Sequence, residues 1–180
     1  MALILAFLAL ASPVPRCHTP GLHVYFAGSN GAAGRIELDV VFRNISGHTC
    51  FVYGYPGLGL ESARHRALPS RVVWGSTFAR HDPGRHRVVL APGRAAVANL
   101  AWSDVPHGRG GDCISAAYLE VTPPDERTFR RLRFPQVACD HGTLTATALS
   151  ARRTSPRAGP SRSASRNPQR ASRLPRLQRP

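Results

Sequence analysis

Apolar and polar residues alternate along most of this chain. The clearest stretch is GRIELDVVFRN, where Ile36, Leu38, Val40 and Phe42 alternate with Glu37, Asp39, Val41 and Arg43. A period of two sends the first set to one face of a strand and the mostly charged set to the other; a helix would scatter them. Asn44-Ile45-Ser46-Gly47 reads as a turn, because Asn and Gly tolerate positive φ and Ser can bond the backbone. TCFVYG follows as the next strand, so the two are expected to form a hairpin. LHVYF precedes that hairpin; SRVVWG, RHRVVLAP, RAAVANLAW, CISAAYLEV, FRRLRF and TLTATAL follow it. Ala96, Ala98, Leu100 and Trp102 share one face, and Ala117, Leu119 and Val121 are expected to point inward. Pro123-Pro124 ends its strand, since proline cannot donate to a ladder. GLESARHRALPS is the least strand-like segment and reads as a long loop. Eight or nine short strands punctuated by Gly and Pro predict an all-β fold, a two-sheet sandwich or a small barrel, antiparallel because the connections are short.

The two ends depart from this pattern. Ala2 to Ala11 is an unbroken apolar run, too short for the roughly 20 apolar residues of a membrane-spanning helix. It fits a signal peptide over residues 1–11, with Ala9-Leu10-Ala11 as the small-x-small cleavage site, although no basic residue precedes the run. Residues 12–149 form the expected β-sandwich domain. Residues 150–180, rich in Arg, Ser and Pro, contain two Leu, no aromatic and no acidic residue, and are expected to be a disordered tail. The net charge of +14 reflects that tail: it holds nine of the 24 basic residues. Every basic residue is Arg, and this loss of Lys beside abundant Ala, Gly and Pro points to GC-rich coding and an actinobacterial type of source.

Cys17, Cys50, Cys113 and Cys139 form an even set, which in an exported chain reads as a disulfide framework. Three pairings are open; Cys17–Cys50 with Cys113–Cys139 is favoured, because both close loops of a few tens of residues. No close pair of cysteines suggests a zinc site. Pro15-Arg16 before Cys17 argues against lipidation, which wants small residues there.

Gly54-Tyr55-Pro56-Gly57 reads as a type II turn, with Pro56 fixing φ and Gly57 supplying φ above zero. Tyr55 is expected to pack on the turn, with a carbohydrate-stacking platform as its alternative role. HDPGRH gathers His81, Asp82 and His86, the densest set of possible metal ligands, but reads first as a polar loop. Neither a G-x-S-x-G nucleophile motif nor a phosphate-binding loop is present; AGSNGAAG lacks the Lys and the following helix.

The ordered combination of Cys17, Leu22, Phe42, Asn44, Ser46, Cys50, Gly54, Tyr55, Pro56 and Gly57, then VVLAPGRAA, Trp102, Cys113, LEVTPP, Cys139 and TLTATAL, resembles a family of small secreted and lipoprotein-like actinobacterial domains of unknown function. The resemblance covers about residues 17 to 149. It implies an immunoglobulin-like antiparallel β-sandwich stabilised by two disulfides, placed in the envelope or outside the cell. It implies no enzymatic activity and no cofactor.

The expected function is therefore that of an exported, non-catalytic binding module whose partner is an envelope protein or glycan, met by loops such as 54–70 and 103–112. One alternative is a hydrolase or metal-dependent enzyme using His81, His86 or a free Cys139. Another is an anionic polymer held by the arginine tail. Nucleic acid is not expected, because export removes the chain from it and the tail has no aromatic residue for base stacking.

Overall fold

The computed structural model describes residues 13–108 and 112–152. The expected signal peptide and the tail from residue 153 onward lie outside the described residues. The chain is all-β, with antiparallel sheets and two disulfides. Its strands are β1 (Leu22–Ala32), β2 (Arg35–Asn44), β3 (Cys50–Tyr53), β4 (Gly57–Glu61), β5 (Arg71–Trp74), β6 (Arg87–Leu90), β7 (Ala95–Ser103), β8 (Ile114–Thr122), β9 (Arg130–Ala138), β10 (Thr143–Ala146) and β11 (Ser150–Ala151). One sheet runs β1-β2-β7-β10-β5, with β11 also on β7; a second is β3-β6 and a third β4-β8-β9.

All three sheets contribute to one core. Val40 and Phe42 of β2 and Ala96, Ala98, Leu100 and Trp102 of β7 supply the large sheet's side. Val52 and Leu90 come from the second sheet, and Leu60, Leu119, Val121 and Phe134 from the third. Trp102 meets Phe134 edge-on at 4.9 Å and so joins the large sheet to the third. Cys17–Cys50 fastens the segment before β1 to β3, and Cys113–Cys139 joins the start of β8 to the residue after β9. Closing loops of 33 and 26 residues stabilises the fold by roughly 3.5 kcal/mol each in the chain-entropy account.

Several expectations are corrected. The β2–β3 hairpin does not form: β2 already pairs with β1 on one edge and β7 on the other, so β3 pairs with β6. Asn44, fully buried, redirects the chain. Its side-chain amide donates to the oxygens of His48 and Leu90, both at 2.9 Å, and its Oδ1 accepts from the Ser46 amide at 2.9 Å and the Ser46 hydroxyl at 2.6 Å. The turn is thus made by the Asn side chain. Pairing is antiparallel throughout the named strands except between β5 and β10, which are parallel; residues 75–142 separate them, room enough for such a crossover. Ala116, not Ala117, enters the core, because a bulge between Ala116 and Tyr118 shifts the alternation. The glycines of Gly57-Leu58-Gly59-Leu60 hid β4, and Ser150 to Arg152, expected in the tail, are ordered: β11 pairs with β7 and the Arg152 amide donates to the Ala95 oxygen at 2.9 Å.

The outer face of the third sheet carries a carboxyl pair. Arg131 donates to both oxygens of Glu61, whose carboxyl is held down at about 2 by that bond first and by a bond with Glu120 second, against the opposing effect of burial. Glu120 is raised above the ordinary value, first by its hydrogen bond with Glu61, then by burial and the Glu61 charge. Of the two carboxyls, Glu120 is therefore the one whose ionisation the pair opposes.

Two consequences are measurable. Asn44→Ala strands the carbonyls of His48 and Leu90, and is expected to lower the urea-unfolding free energy by about 2–3 kcal/mol; a loss below ~0.5 kcal/mol contradicts the pinning role. Glu120's contribution is fully present below 4.5 and is lost as pH rises through its folded value, whereas that of Glu61 is present above 4.5 and lost as pH falls towards about 2. Glu120→Gln keeps the donor at every pH, so the variant should gain on the wild type in urea midpoint as pH rises above 4.5. A difference between the two proteins that does not change with pH contradicts the coupling of the two carboxyls.

Candidate functional site

At the end of β3 the chain turns sharply. Gly54 takes φ 93°, a left-handed conformation, and its oxygen accepts the Leu149 amide at 2.8 Å. This corrects the type II turn: Gly57 does not supply the positive φ but opens β4 opposite Thr122. Its lack of a Cβ matters instead for the close approach of Thr122, whose own Cβ lies 3.2 Å from where one would sit. Pro56 is buried and Tyr55 only half-buried.

Tyr55 is the centre of an aromatic shelf. Its ring stacks on Trp74, the last residue of β5, at 5.3 Å and 13°. The Arg85 guanidinium lies 5.8 Å from the Tyr55 ring centre and 5.6 Å from that of Trp74. Trp74 is 51 % exposed and Tyr53 42 %, so the shelf faces solvent. A cavity of about 200 Å³ separates Tyr53, Tyr55, Trp74 and Arg85 from Thr122, Pro123, Asp125 and Glu126. The far wall is acidic and fixed. Asp125 pairs with Arg16, and Glu126 accepts from the Thr19 amide and hydroxyl at 3.0 Å and meets His18 Nδ1 at 3.0 Å. Burial raises the Glu126 carboxyl, but the Thr19 and His18 bonds outweigh it and the net shift is downward. The site thus offers flat ring faces, a cation and carboxylate acceptors around a small open cavity.

The shelf is propped from beneath by Asp82. The Tyr55 hydroxyl donates to Asp82 Oδ2 at 2.5 Å, and the Ala148 amide to Oδ1 at 2.8 Å. The bond to Asp82, then burial, pushes the Tyr55 phenol up. Burial pushes Asp82 up, but the bonds from Tyr55, Ala148 and Gly84 overcome it and leave the carboxyl below its usual value.

The histidine cluster separates. His81 is exposed, Asp82 is committed to Tyr55, and His86 Nδ1 donates to the Gly84 oxygen at 2.9 Å. Among the described residues no three His, Cys, Asp or Glu side chains gather as a metal site. The free Cys139 required by the hydrolase alternative is corrected as well: Cys139 is bonded to Cys113. Trp74 and Arg85 escaped the sequence reading, because they become neighbours of Tyr55 only through the parallel β5–β10 pairing and the loop that follows β5. Of the two expected interface loops, 54–70 supplies Tyr55. The described part of 103–112 lies on a different cleft, with His107.

Tyr55→Phe keeps the stack and removes the bond to Asp82. We expect a loss of about 1.5–2 kcal/mol at neutral pH. The depressed Asp82 carboxyl contributes stability above 3.8 that disappears as pH falls through its folded value, so the gap between the two proteins should narrow towards about pH 2.5. Urea unfolding at the two pH values checks both; a gap independent of pH would contradict the Tyr55–Asp82 link.

Among the described residues no helix is long and apolar enough to cross a membrane. No curated protein and no solved structure matches the chain. Residues 17–150 match the family described as domain of unknown function DUF4232, and the chain belongs to that family.

Proposed function

We propose that the protein is an exported, non-catalytic module that binds envelope glycan on the Tyr55–Trp74–Arg85 shelf. The observation that carries this reading is the exposed, flat Trp74 ring, stacked on Tyr55 beside a cavity with carboxylates on its far wall. Sugar rings present apolar C–H faces to aromatic planes and hydroxyls to carboxylate acceptors, and small-molecule sites combine apolar walls with a few placed polar groups. Export is supported by the apolar run of residues 2–11 and by four cysteines held in two disulfides, which persist in oxidising compartments. The common core of the large sheet and the two smaller ones supports reading the fold as an immunoglobulin-like sandwich with its binding loops at the ends. A non-catalytic role is supported by Asp82 and His86, both engaged in bonds that hold the loop.

The two tryptophans make the test direct. Trp102 is 4 % exposed and Trp74 51 %, so a ligand-dependent change in emission reports Trp74. Titration with a panel of neutral oligosaccharides, including the N-acetylglucosamine trimer, should give a saturable blue shift in the wild type. Trp74→Ala should abolish it while altering stability by no more than about 0.5 kcal/mol, as for other exposed positions. A panel without any response, or a Trp74→Ala variant that binds like the wild type by calorimetry, would overturn the reading.

A further inference from the structure

A second cleft opens on the outer face of the large sheet. Its volume is about 300 Å³, and Arg35, Ser76, Phe78, His107, Asp140 and Thr145 are among its walls. Five segments build it. Arg35 opens β2, Thr145 lies in β10, and Ser76 and Phe78 belong to the segment after β5. His107 and Asp140 come from the loops after β7 and β9.

The polar groups are organised in a particular way. Asp140 accepts from the His107 amide at 2.9 Å and from His107 Nδ1 at 2.7 Å. The amide bond first, then the ring bond, holds the Asp140 carboxyl below its usual value, and a carboxylate oxygen can only accept, so Nδ1 is the donor. The ring is thereby oriented and Nε2 is left for a ligand. Asp140 reaches this position from a left-handed turn: Asp140 and His141 have φ 53° and 60°, and Gly142 follows at 71°. A Cβ on Gly142 would lie 2.5 Å from the Pro69 oxygen, so the turn admits no larger residue there. Non-glycine residues are strained in this region and persist there only where the surroundings enforce them. The Cys113–Cys139 disulfide immediately precedes the turn and anchors it.

Arg35 is the free partner in this arrangement. Among the described residues its guanidinium makes no hydrogen bond or ion pair, whereas the carboxylate of the cleft is occupied by His107. Phe78 is 43 % exposed and offers a ring face. The Thr145 hydroxyl has no partner among the described residues, and the Ser76 hydroxyl accepts the Asp82 amide at 2.9 Å, leaving its proton to donate.

From these groups we infer that the cleft is a subsite for one acidic sugar unit: a polyhydroxylated ring carrying a carboxylate or a phosphate. Arg35 pairs with the anion. Phe78 covers the ring, and Ser76, Thr145 and His107 Nε2 take its hydroxyls. The volume is at the small end for ligand sites and matches a single ring rather than an extended chain. The inference stands apart from the aromatic shelf, with which this cleft has no lining residue in common.

The test uses the full chain and three probes: D-glucuronate, D-glucose and inorganic phosphate. Binding is followed by the NMR shifts of the Arg35 Nε–H and the His107 ring. Glucuronate should move both saturably, at least tenfold more tightly than glucose and tenfold more tightly than phosphate. Arg35→Gln should weaken glucuronate at least tenfold without moving the thermal transition, since Arg35 is exposed and unpartnered; Trp74→Ala should leave this binding unchanged. Equal affinity for phosphate and glucuronate would mean that the ring contributes nothing, and the inference falls. It falls equally if glucuronate shifts only tail arginines, or if Arg35→Gln binds as the wild type does.

Discussion

The segment from Gly75 to His86 is held on the outer face of the large sheet by buried polar groups, and both the aromatic shelf and the polar cleft depend on that contact. Glu37 is only 2 % exposed, on the face that simple alternation leaves to water. Its Oε1 accepts the Ala79 amide at 2.9 Å. Asn99, on the neighbouring strand, accepts the Thr77 hydroxyl at 2.7 Å and donates to Asp39 at 3.1 Å, while Arg80 reaches Asp39 at 3.4 Å. A buried carboxylate without partners costs several kcal/mol, so the sheet face and the strap that covers it specify each other. The attachment is polar, and it can be solvated if the strap lifts. Local opening here should therefore require much less free energy than global unfolding. At one end the strap offers Ser76 and Phe78 to the polar cleft. At the other it offers Asp82 and Arg85 to the aromatic shelf.

The covalent frame limits how far such opening can spread. Cys17–Cys50 ties the first segment to β3, next to the turn that carries Tyr55, and Cys113–Cys139 sits against the turn that carries Asp140. Between them the core is fastened across its layers by Phe134, which touches both Trp102 and Phe26. Rigid elements thus carry Tyr55, Trp74, Arg35 and Asp140, and the strap that completes both sites remains the element whose docking can vary. That division of labour suits a binding protein, because loops on a fixed scaffold can be shaped without disturbing the core.

The strands and the cysteine pairing were legible because each depends on local pattern or on simple spacing. Ile36, Leu38, Val40 and Phe42 announce β2 on their own. The partner of β2 was not legible, because pairing depends on which edges are already occupied, and β7 lies fifty residues further along the chain. Glycines concealed β4: Gly57 and Gly59 lack the side chains that mark a strand, although the small size of Gly57 is what admits Thr122 alongside. The sites were half legible. Tyr55 and the loop holding His107 could be singled out by residue type, but their partners come from remote segments. Asp82 illustrates the reason: beside His81 and His86 it resembles a metal ligand, and only the folded chain reveals that its carboxylate supports a phenol and a backbone amide.

The exclusive use of arginine acquires a structural meaning once the contacts are known. Lysine is a compact, strongly hydrated charge, whereas guanidinium is planar, stacks on rings and donates in parallel pairs. Arg85 spans two ring faces at once, Arg87 lies 3.9 Å from the Phe51 ring centre, and Arg152 approaches Tyr25 while donating to its hydroxyl at 2.8 Å. Arg131 grips both oxygens of Glu61 and also covers Phe129. A lysine at position 85 could not cover both Tyr55 and Trp74, and one at position 131 could not bond Glu61 through two fixed parallel donors. The fold depends on guanidinium geometry at these positions, and a change of basic residue that is neutral elsewhere would not be neutral here.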